Sequence, residues 1–497
     1  MTLINYNSFK NNWDKKQNFI LTENILSKDN DIISIYRKLK KISKEIIILE
    51  SKEKDPAKSR YSAIALDPDI IWKCKNNKIT LIENKKKSKF RNLKGQEIKE
   101  NLENLIKKSV INTEAELPPM ASGVFGFMSY DMIKYFEPVK SHKKDPLKIE
   151  ESKFIRPNII LICDNINKTI LISCPFFYNE KTNPEIIFKK RYKLVTKINK
   201  LIQKQQKNPI ITPSKIKNYN FKNNFSADKF QKQVNKAKNF IINGDIFQII
   251  ISRRFHTKFK ESAFSLYQAL RDINPSPFLF YMKFKKYEII GSSPEIMVKL
   301  EDNIITIRPL AGTRKRGKDA KEDKKLAKEL LNDKKELAEH LMLIDLGRND
   351  VGRVSEINSV KLTKNMEIEY YSHVMHISST IEGKSKKNIS YLDALIAGFP
   401  AGTVSGAPKI KAMELIENFE EDQRSFYSGT IGYFSLHQQY MDMAIMIRTA
   451  LIKNKILYIQ AGAGIVHDSI PKAELEETEN KAKGLFKAAN LAINYPD

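Results

Sequence analysis

The stretch Ser226-Ala-Asp-Lys-Phe230-Gln-Lys-Gln-Val234-Asn-Lys-Ala237-Lys-Asn-Phe-Ile241-Ile-Asn243-Gly244-Asp-Ile246-Phe-Gln248-Ile-Ile-Ile251 holds a helix and a strand side by side. Ser226 has the chemistry of an N-cap, and Phe230, Val234, Ala237 and Ile241 recur at helical spacing until Asn243 and Gly244 end the pattern. Ile246 to Ile251 then reads as a buried strand. Toward the C-terminus, strands are expected at Phe278 to Phe284, Ile304 to Arg308, Gly429 to Ser435, Met443 to Thr449 and Ile456 to Gln460, with helices between several of them. Strands that follow one another, with helices gathered in blocks, predict an α+β fold of layered sheets flanked by helices, not a regular βαβ repeat.

Toward the N-terminus, Ile-rich runs at Glu45 to Leu49, Asn158 to Cys163 and Thr169 to Ser173 are bounded by polar turns and predict a β-rich region. Between the two regions, residues 195–225 are rich in Lys, Gln and Asn and contain Pro209 and Pro213. This change of composition divides the chain into 1–224 and 225–497. A chain of 497 residues exceeds the ~250–300 at which one core stops growing, so two domains or one large composite domain are expected. Hydrophobic residues at 41% against 29% charged exclude a disordered chain.

The formal net charge of +28 raises the question of a nucleic-acid partner. The lysines are spread along nearly the whole chain, and Asn and Ile are abundant with them, which is the mark of a coding bias. No RNA-binding aromatic signature, zinc-finger spacing or helix-turn-helix pattern accompanies the charge, so no nucleic-acid partner is expected. Cys74, Cys163 and Cys174 form no C-x-x-C pair and suit a reducing compartment. Met1 to Lys16 is polar and no run of 18 apolar residues occurs, so neither a signal peptide nor a membrane span is expected, and a cytoplasmic location fits.

E-x-x-E occurs twice in helical context: Glu336 with Glu339, where Leu337, Leu341 and Ile344 supply an apolar stripe, and Glu474 with Glu477, just after Pro471. Residues three apart share a helical face, so each helix can aim two carboxylates at one point, and Lys481 falls on the face of Glu474. Brought together, four carboxylates make a hard oxygen site suited to Mg²⁺ completed by an anionic substrate. Taken alone, each pair reads equally as a solvated face making i, i+4 contacts with lysines.

Further segments bear on that choice. Ile307-Arg-Pro-Leu-Ala311-Gly312-Thr313-Arg314, Asp345-Leu-Gly-Arg-Asn-Asp350, Phe399-Pro-Ala-Gly-Thr403-Val-Ser-Gly-Ala-Pro-Lys409 and Ala461-Gly462-Ala463-Gly464-Ile465 resemble, in order and spacing, the chorismate-binding enzyme family. Leu49-Glu50-Ser51, Arg60-Tyr-Ser62 and Leu66-Asp-Pro68 resemble its anthranilate-forming, component I branch. The resemblance implies large sandwich-like sheets with a regulatory N-terminal region. It implies that Glu339 and Glu477 ligate Mg²⁺, supported by Glu336 and Glu474, and that the metal holds the ring carboxylate of chorismate. By the same resemblance Arg448 and Tyr427 grip the second carboxylate, and Gly312, Thr313, Gly462, Ala463, Gly464 and Lys481 complete the substrate site. Glu295 matches the general acid, His376 the residue associated with pyruvate elimination, and Thr403 one that positions the ring.

Within the family, isochorismate- and salicylate-forming members carry a water-activating lysine where this chain has Gln248, and many aminodeoxychorismate synthases carry a lysine where it has Ala311. Both differences point to the anthranilate branch, with aminodeoxychorismate synthesis the alternative. The implied partners are chorismate, ammonia and a separate glutamine amidotransferase subunit, since no amidotransferase nucleophile signature surrounds any cysteine. Glu50 and Ser51, with Pro277, Phe278 and Leu279, match a tryptophan feedback site, although Phe278 stands where Tyr is common.

Overall fold

The computed structural model describes residues 4–25, 31–53, 55, 59–84, 86–141, 143–204, 216–371 and 374–497. Every ladder between its described strands is antiparallel. Antiparallel neighbours need no crossover helix, so helices are free to collect on the outer faces.

The segment 226–251 folds as its pattern dictates. Ser226 accepts a hydrogen bond from the Lys229 N–H as N-cap of the helix Ala227–Ile242, which buries Phe230, Val234 and Ala237 and ends at Asn243. Gly244 adopts φ +80, a conformation glycine takes without strain, and turns the chain into the strand Gln248–Lys258.

Two sheets share one strand. Ser152–Asp164 is buried along all 13 residues and pairs with Tyr61–Lys75 on one side. On its other side it meets Gly123–Met128 and then Thr169–Phe176. Beyond Tyr61–Lys75 the first sheet continues through Ile46–Glu50, Phe278–Lys283, Glu288–Ser293, Thr449–Lys453 and Ile456–Ile465 to Gln248–Lys258. Beyond Gly123–Met128 the second continues through Thr430–Ser435, Tyr440–Ile445, Ile296–Glu301 and Ile304–Ile307 to Val374–Lys384. Phe125, Phe127, Ile155, Phe280, Met282 and Ile431 belong to one core between them, and larger helix-covered cores lie outside. This is the expected α+β, sandwich-like layering. Segments on either side of 224/225 are strands of the same sheets, as the ladders of Ile46–Glu50 with Phe278–Lys283 and of Gly123–Met128 with Thr430–Ser435 show. Part of the composition break, residues 205–215, lies outside the described residues.

Three elements differ from the sequence reading. The run expected at 158–163 begins six residues earlier, because Lys153 is buried and paired with Glu45 at 2.7 Å, and Arg156 with Asp69 at 2.6 Å. Charged residues that find a partner inside do not end a strand. The run expected at Met443 to Thr449 is two strands, Tyr440–Ile445 and Thr449–Lys453, separated where Arg448 takes φ +48. On the helix Lys334–Val354, Leu341 is 51% exposed, and the inward face is carried by His340, Leu343, Ile344 and Gly347 instead. No described helix is long and apolar enough to cross a membrane.

Candidate active site

A cavity of about 400 Å³ opens where the strand Ile456–Ile465 meets the helices Lys334–Val354 and Pro471–Leu491. All the residues expected from the sequence to serve catalysis, substrate or metal line it, with the single exception of Ala463. Side chains alternate along a strand, so Gly462 and Gly464 face the cavity while Ala463 points the other way into the hydrophobic core. The glycines also have a more local purpose than close approach to a ligand. A Cβ on Gly462 would stand 2.7 Å from the Tyr427 hydroxyl, and one on Gly464 3.0 Å from the Gln248 amide nitrogen. They make room for those two polar groups.

Glu295 is 5% exposed, and the Thr403 hydroxyl donates to its Oε1 at 2.9 Å. The Leu310 N–H reaches the same oxygen at 3.5 Å, so in the neutral acid the proton resides on Oε2. Burial lifts the carboxyl to about 7, against the Thr403 and Leu310 donors and the charges of Arg308 and Arg448. Thr403, expected to position a substrate ring, here holds the acid.

His376 Nδ1 lies 2.9 Å from the Gly312 carbonyl and 3.1 Å from the Thr313 hydroxyl. A carbonyl can only accept, so Nδ1 carries the hydrogen and Nε2 is left as an acceptor. Burial, with Arg448 adding to it, lowers the imidazole to about 4 and keeps it neutral. Gly312 itself sits at φ +64, and a Cβ there would come 3.1 Å from a Glu336 carboxylate oxygen.

The Arg448 guanidinium makes no hydrogen bond or ion pair with any described residue and feels Tyr371 and Glu295 only at a distance. An unmatched guanidinium in a cavity wall is a receptor for a carboxylate. Tyr427 is buried in the same cavity wall, and 5.6 Å from its ring lies the guanidinium of Arg424, part of a network that sequence reading missed. Arg424, fully buried, is held by Glu420 at 2.7 Å and donates to the carbonyls of Val404 and Ile250. In sequence Glu420 and Arg424 look like an ordinary surface i, i+4 pair, and nothing local reveals their burial.

The two E-x-x-E pairs reach the same cavity from different helices. Glu336 is raised above the usual carboxylate range by burial and by the Glu339 charge, which together outweigh Arg314. Glu474 is raised by burial and by Glu477, against a hydrogen bond from Ser469. Lys481 bridges the cluster. It meets Glu477 at 2.7 Å, donates to the Gly462 carbonyl at 3.1 Å, and is held charged by Glu477, Tyr427 and Glu339 despite burial among protein atoms. Its side chain is nonetheless about half accessible, because the cavity in front of it is open to water. Gln248, noted from sequence only for lacking a basic nitrogen, donates its amide N–H to Glu339 Oε1 at 2.7 Å. Among the described residues no three Asp, Glu, His or Cys side chains are drawn into a closed metal cage.

A second cavity, of about 550 Å³, is lined by Glu50, Ser51, Pro277, Phe278 and Leu279 together. Glu50 is buried and accepts from Arg271 at 2.8 Å and from the Tyr267 hydroxyl. Two further buried groups on its wall lack a hydrogen-bond partner among the described residues, Asp442 Oδ1 and Arg308 Nε. Burial pushes Asp442 up to about 6. The partition between the cavities is thin: Ile296 lines this one while the preceding Glu295 lines the first. Arg308 also reaches across to Glu369 at 3.0 Å, which accepts from Tyr371, whose ring packs edge-on to His376.

Residues 67–487 match the chorismate binding enzyme family. The chain is 39% identical over 492 residues to anthranilate synthase component 1 of Cereibacter sphaeroides, covering 99% of this chain and 98% of that one. It is 40% identical over 461 residues to anthranilate synthase component 1 of Aquifex aeolicus, covering 93% and 92%. The crystal structure of anthranilate synthase component I from Streptococcus pneumoniae superposes with a TM-score of 0.75 at 36% identity, over 88% of this chain and 93% of that one. A menaquinone-specific isochorismate synthase from Escherichia coli shares the fold, with a TM-score of 0.71 over 97% and 99% of the chains at only 17% identity. With the family match spanning most of its length and the expected residues gathered in one cavity, the chain belongs to the chorismate binding enzyme family.

Proposed function

We propose that the chain is the chorismate-converting subunit, component I, of an anthranilate synthase. It takes chorismate and ammonia to anthranilate, pyruvate and water. The observation that carries this reading is one cavity in which a neutral acid, Glu295, faces a guanidinium unmatched among the described residues, Arg448, while position 248, hydrogen-bonded to Glu339, holds a glutamine and not a lysine. Glutamine cannot take a proton from water, so an added nucleophile that needs no base, such as ammonia, fits better.

Arg448 and Tyr427 bind the enolpyruvyl carboxylate and fix the ring. Ammonia adds to the ring, and Glu295 passes its Oε2 proton to the departing hydroxyl, which leaves as water. His376, neutral and with Nε2 available, stands ready to accept the ring proton whose loss accompanies pyruvate departure and aromatisation. Positioning in a partly dehydrated cavity supplies much of the rate.

The carboxylate cluster fits Mg²⁺. Its donors are hard oxygens, like charges crowd Glu336 and Glu474, and Mg²⁺ takes one or two carboxylates with substrate and water and needs no closed cage. Glu339 and Glu477 would hold it, with Glu336 and Glu474 behind them. Bound there, the ion supplies charge neutralisation for the ring carboxylate of chorismate. Replacing Arg448 with Gln should raise KM for chorismate about 30- to 150-fold, the cost of about 2–3 kcal/mol for a charge-assisted contact, with a smaller fall in kcat. Steady-state kinetics at saturating Mg²⁺ measure that split.

Ammonia comes from a glutamine-hydrolysing partner subunit, the counterpart that the component I reading requires. The purified chain should therefore use ammonium and not glutamine. Turnover with glutamine alone, in the absence of any second subunit, would contradict it.

The second cavity takes L-tryptophan as feedback inhibitor. Phe278 and Tyr433 offer aromatic walls for an indole, unpartnered Asp442 Oδ1 an acceptor for the ammonium, and Arg308 Nε a donor for the carboxylate. Replacing Ser51 with Leu fills the cavity without touching the first one. It should leave the uninhibited rate unchanged and weaken tryptophan inhibition at least about tenfold, the size of one lost buried contact. An unchanged rate at saturating tryptophan in the unaltered chain would end this part of the reading.

A further inference from the structure

A third cavity, of about 500 Å³, lies entirely within residues 67–194 and shares no wall with the other two. It sits between the helices Gly95–Lys108 and Pro184–Gln203 and the strands Tyr61–Lys75 and Ser152–Asp164. Two arginines line it in unequal circumstances. Arg156 is fully matched: Asp69 accepts from its Nε at 3.0 Å and from a terminal nitrogen at 2.6 Å, and its guanidinium lies 3.7 Å over the Phe177 ring. Arg191 is 9% exposed and donates to the backbone and side-chain oxygens of Asn158, yet no carboxylate among the described residues stands at ion-pair distance. Asp67 and Asp69 act on it only from further off, and Asp69 is already taken.

A buried guanidinium without a contacting counter-charge is costly to keep. Burial accordingly draws Arg191 below its usual value. It has five N–H donors and spends two of them on Asn158. At the rim stand Lys108 and Lys190, both exposed and neither in an ion pair with a described residue. Phe177, half-buried, and Tyr178 stand in the same wall, while Phe176 is buried 5.2 Å beneath the Arg191 guanidinium.

We propose that this cavity is a binding site for a small aromatic carboxylate, its anion on Arg191 between Lys108 and Lys190 and its ring against Phe177 and Tyr178. The charge count selects a monoanion. Four cationic side chains line the cavity against the three carboxylates of Asp67, Asp69 and Glu83, which would repel a phosphate dianion. The volume falls within the ~300–1,000 Å³ of small-molecule sites. The site stands apart from the reaction cavity, and its occupancy does not depend on which product the chain makes.

Saturation-transfer NMR on the full chain with benzoate as probe tests it. Benzoate should bind the unaltered chain, and a component of that binding should persist in Arg448→Gln, whose reaction cavity has lost its anion receptor. That component should weaken at least about tenfold in the Lys108→Glu/Lys190→Glu double variant and in Arg191→Met, as expected for loss of a charge-assisted contact. Inorganic phosphate should not displace it. The proposal is overturned if benzoate fails to bind, if Arg448→Gln abolishes all binding, or if the double lysine variant binds as tightly as the unaltered chain. The lysines are exposed, so that variant reads the site even where Arg191→Met does not fold.

Discussion

Glu295→Gln should lower kcat about 10²- to 10⁴-fold, the usual worth of a positioned general acid, while chorismate still binds. Glutamine keeps the shape of the side chain and can still accept from the Thr403 hydroxyl, but it has no proton to give a leaving hydroxyl. The pH dependence follows from the same burial. A group that must be protonated to work, with its carboxyl lifted to about 7, keeps the rate high on the acid side and loses it as pH rises through about 7. That falling limb should vanish in Glu295→Gln. Stability should move the same way. A carboxyl whose folded value lies above its unfolded value stabilises the fold below the unfolded value of 4.5 relative to higher pH, and that contribution is lost as pH climbs to about 7. At pH 8 the buried charge costs at most about 3 kcal/mol, so Glu295→Gln should melt higher than the unaltered chain there and not at pH 4. Thermal melts at the two pH values, beside rate profiles, separate an acid kept neutral for its work from a residue that merely packs.

Glu339→Gln and Glu477→Gln should each reduce ammonium-dependent turnover by roughly 10³-fold or more at millimolar Mg²⁺, and a chelator should stop the unaltered chain. Each substitution removes one hard anionic oxygen from a cluster that Lys481 alone cannot neutralise. Glu476, on the same helix but outside the cavity, is the control: Glu476→Gln should leave the rate unchanged. Were these glutamates only a solvated helix face, all three substitutions would be equally silent. Gln248→Ala should give an intermediate result, raising the Mg²⁺ concentration needed for half-maximal rate about 10- to 100-fold, because it frees Glu339 Oε1 from the amide that orients it. Rates measured across a Mg²⁺ titration report all four variants on one scale.

Much of this cavity's lining is legible in the sequence. The helix 227–242 follows from an N-cap, a 3.6-residue period and a terminating Asn-Gly, all of which are local. The E-x-x-E spacing likewise places pairs of carboxylates on one helical face, although only the ordered motifs around them distinguish a site from a surface. What stayed hidden is the long-range pairing. The Gln248–Glu339 bond spans 91 residues and the Thr403–Glu295 bond 108, and side-chain periodicity carries no information about which distant elements meet. The same blindness concealed the two ladders that tie the N-terminal strands to the C-terminal ones. Burial misled in both directions. Lys153 and Arg424 look like surface residues and are interior because each has a carboxylate partner, whereas Leu341 looks like core and faces water. Ala463 was carried along by its glycine neighbours, although strand alternation turns its side chain away from the cavity they face.

Identifying the product tests the central claim most directly. The purified chain is incubated with chorismate, Mg²⁺ and ammonium, and the products are separated and quantified. The account predicts blue-fluorescent anthranilate and pyruvate in equal amounts. Aminodeoxychorismate without pyruvate, isochorismate or salicylate as the product, or no consumption of chorismate, would contradict it.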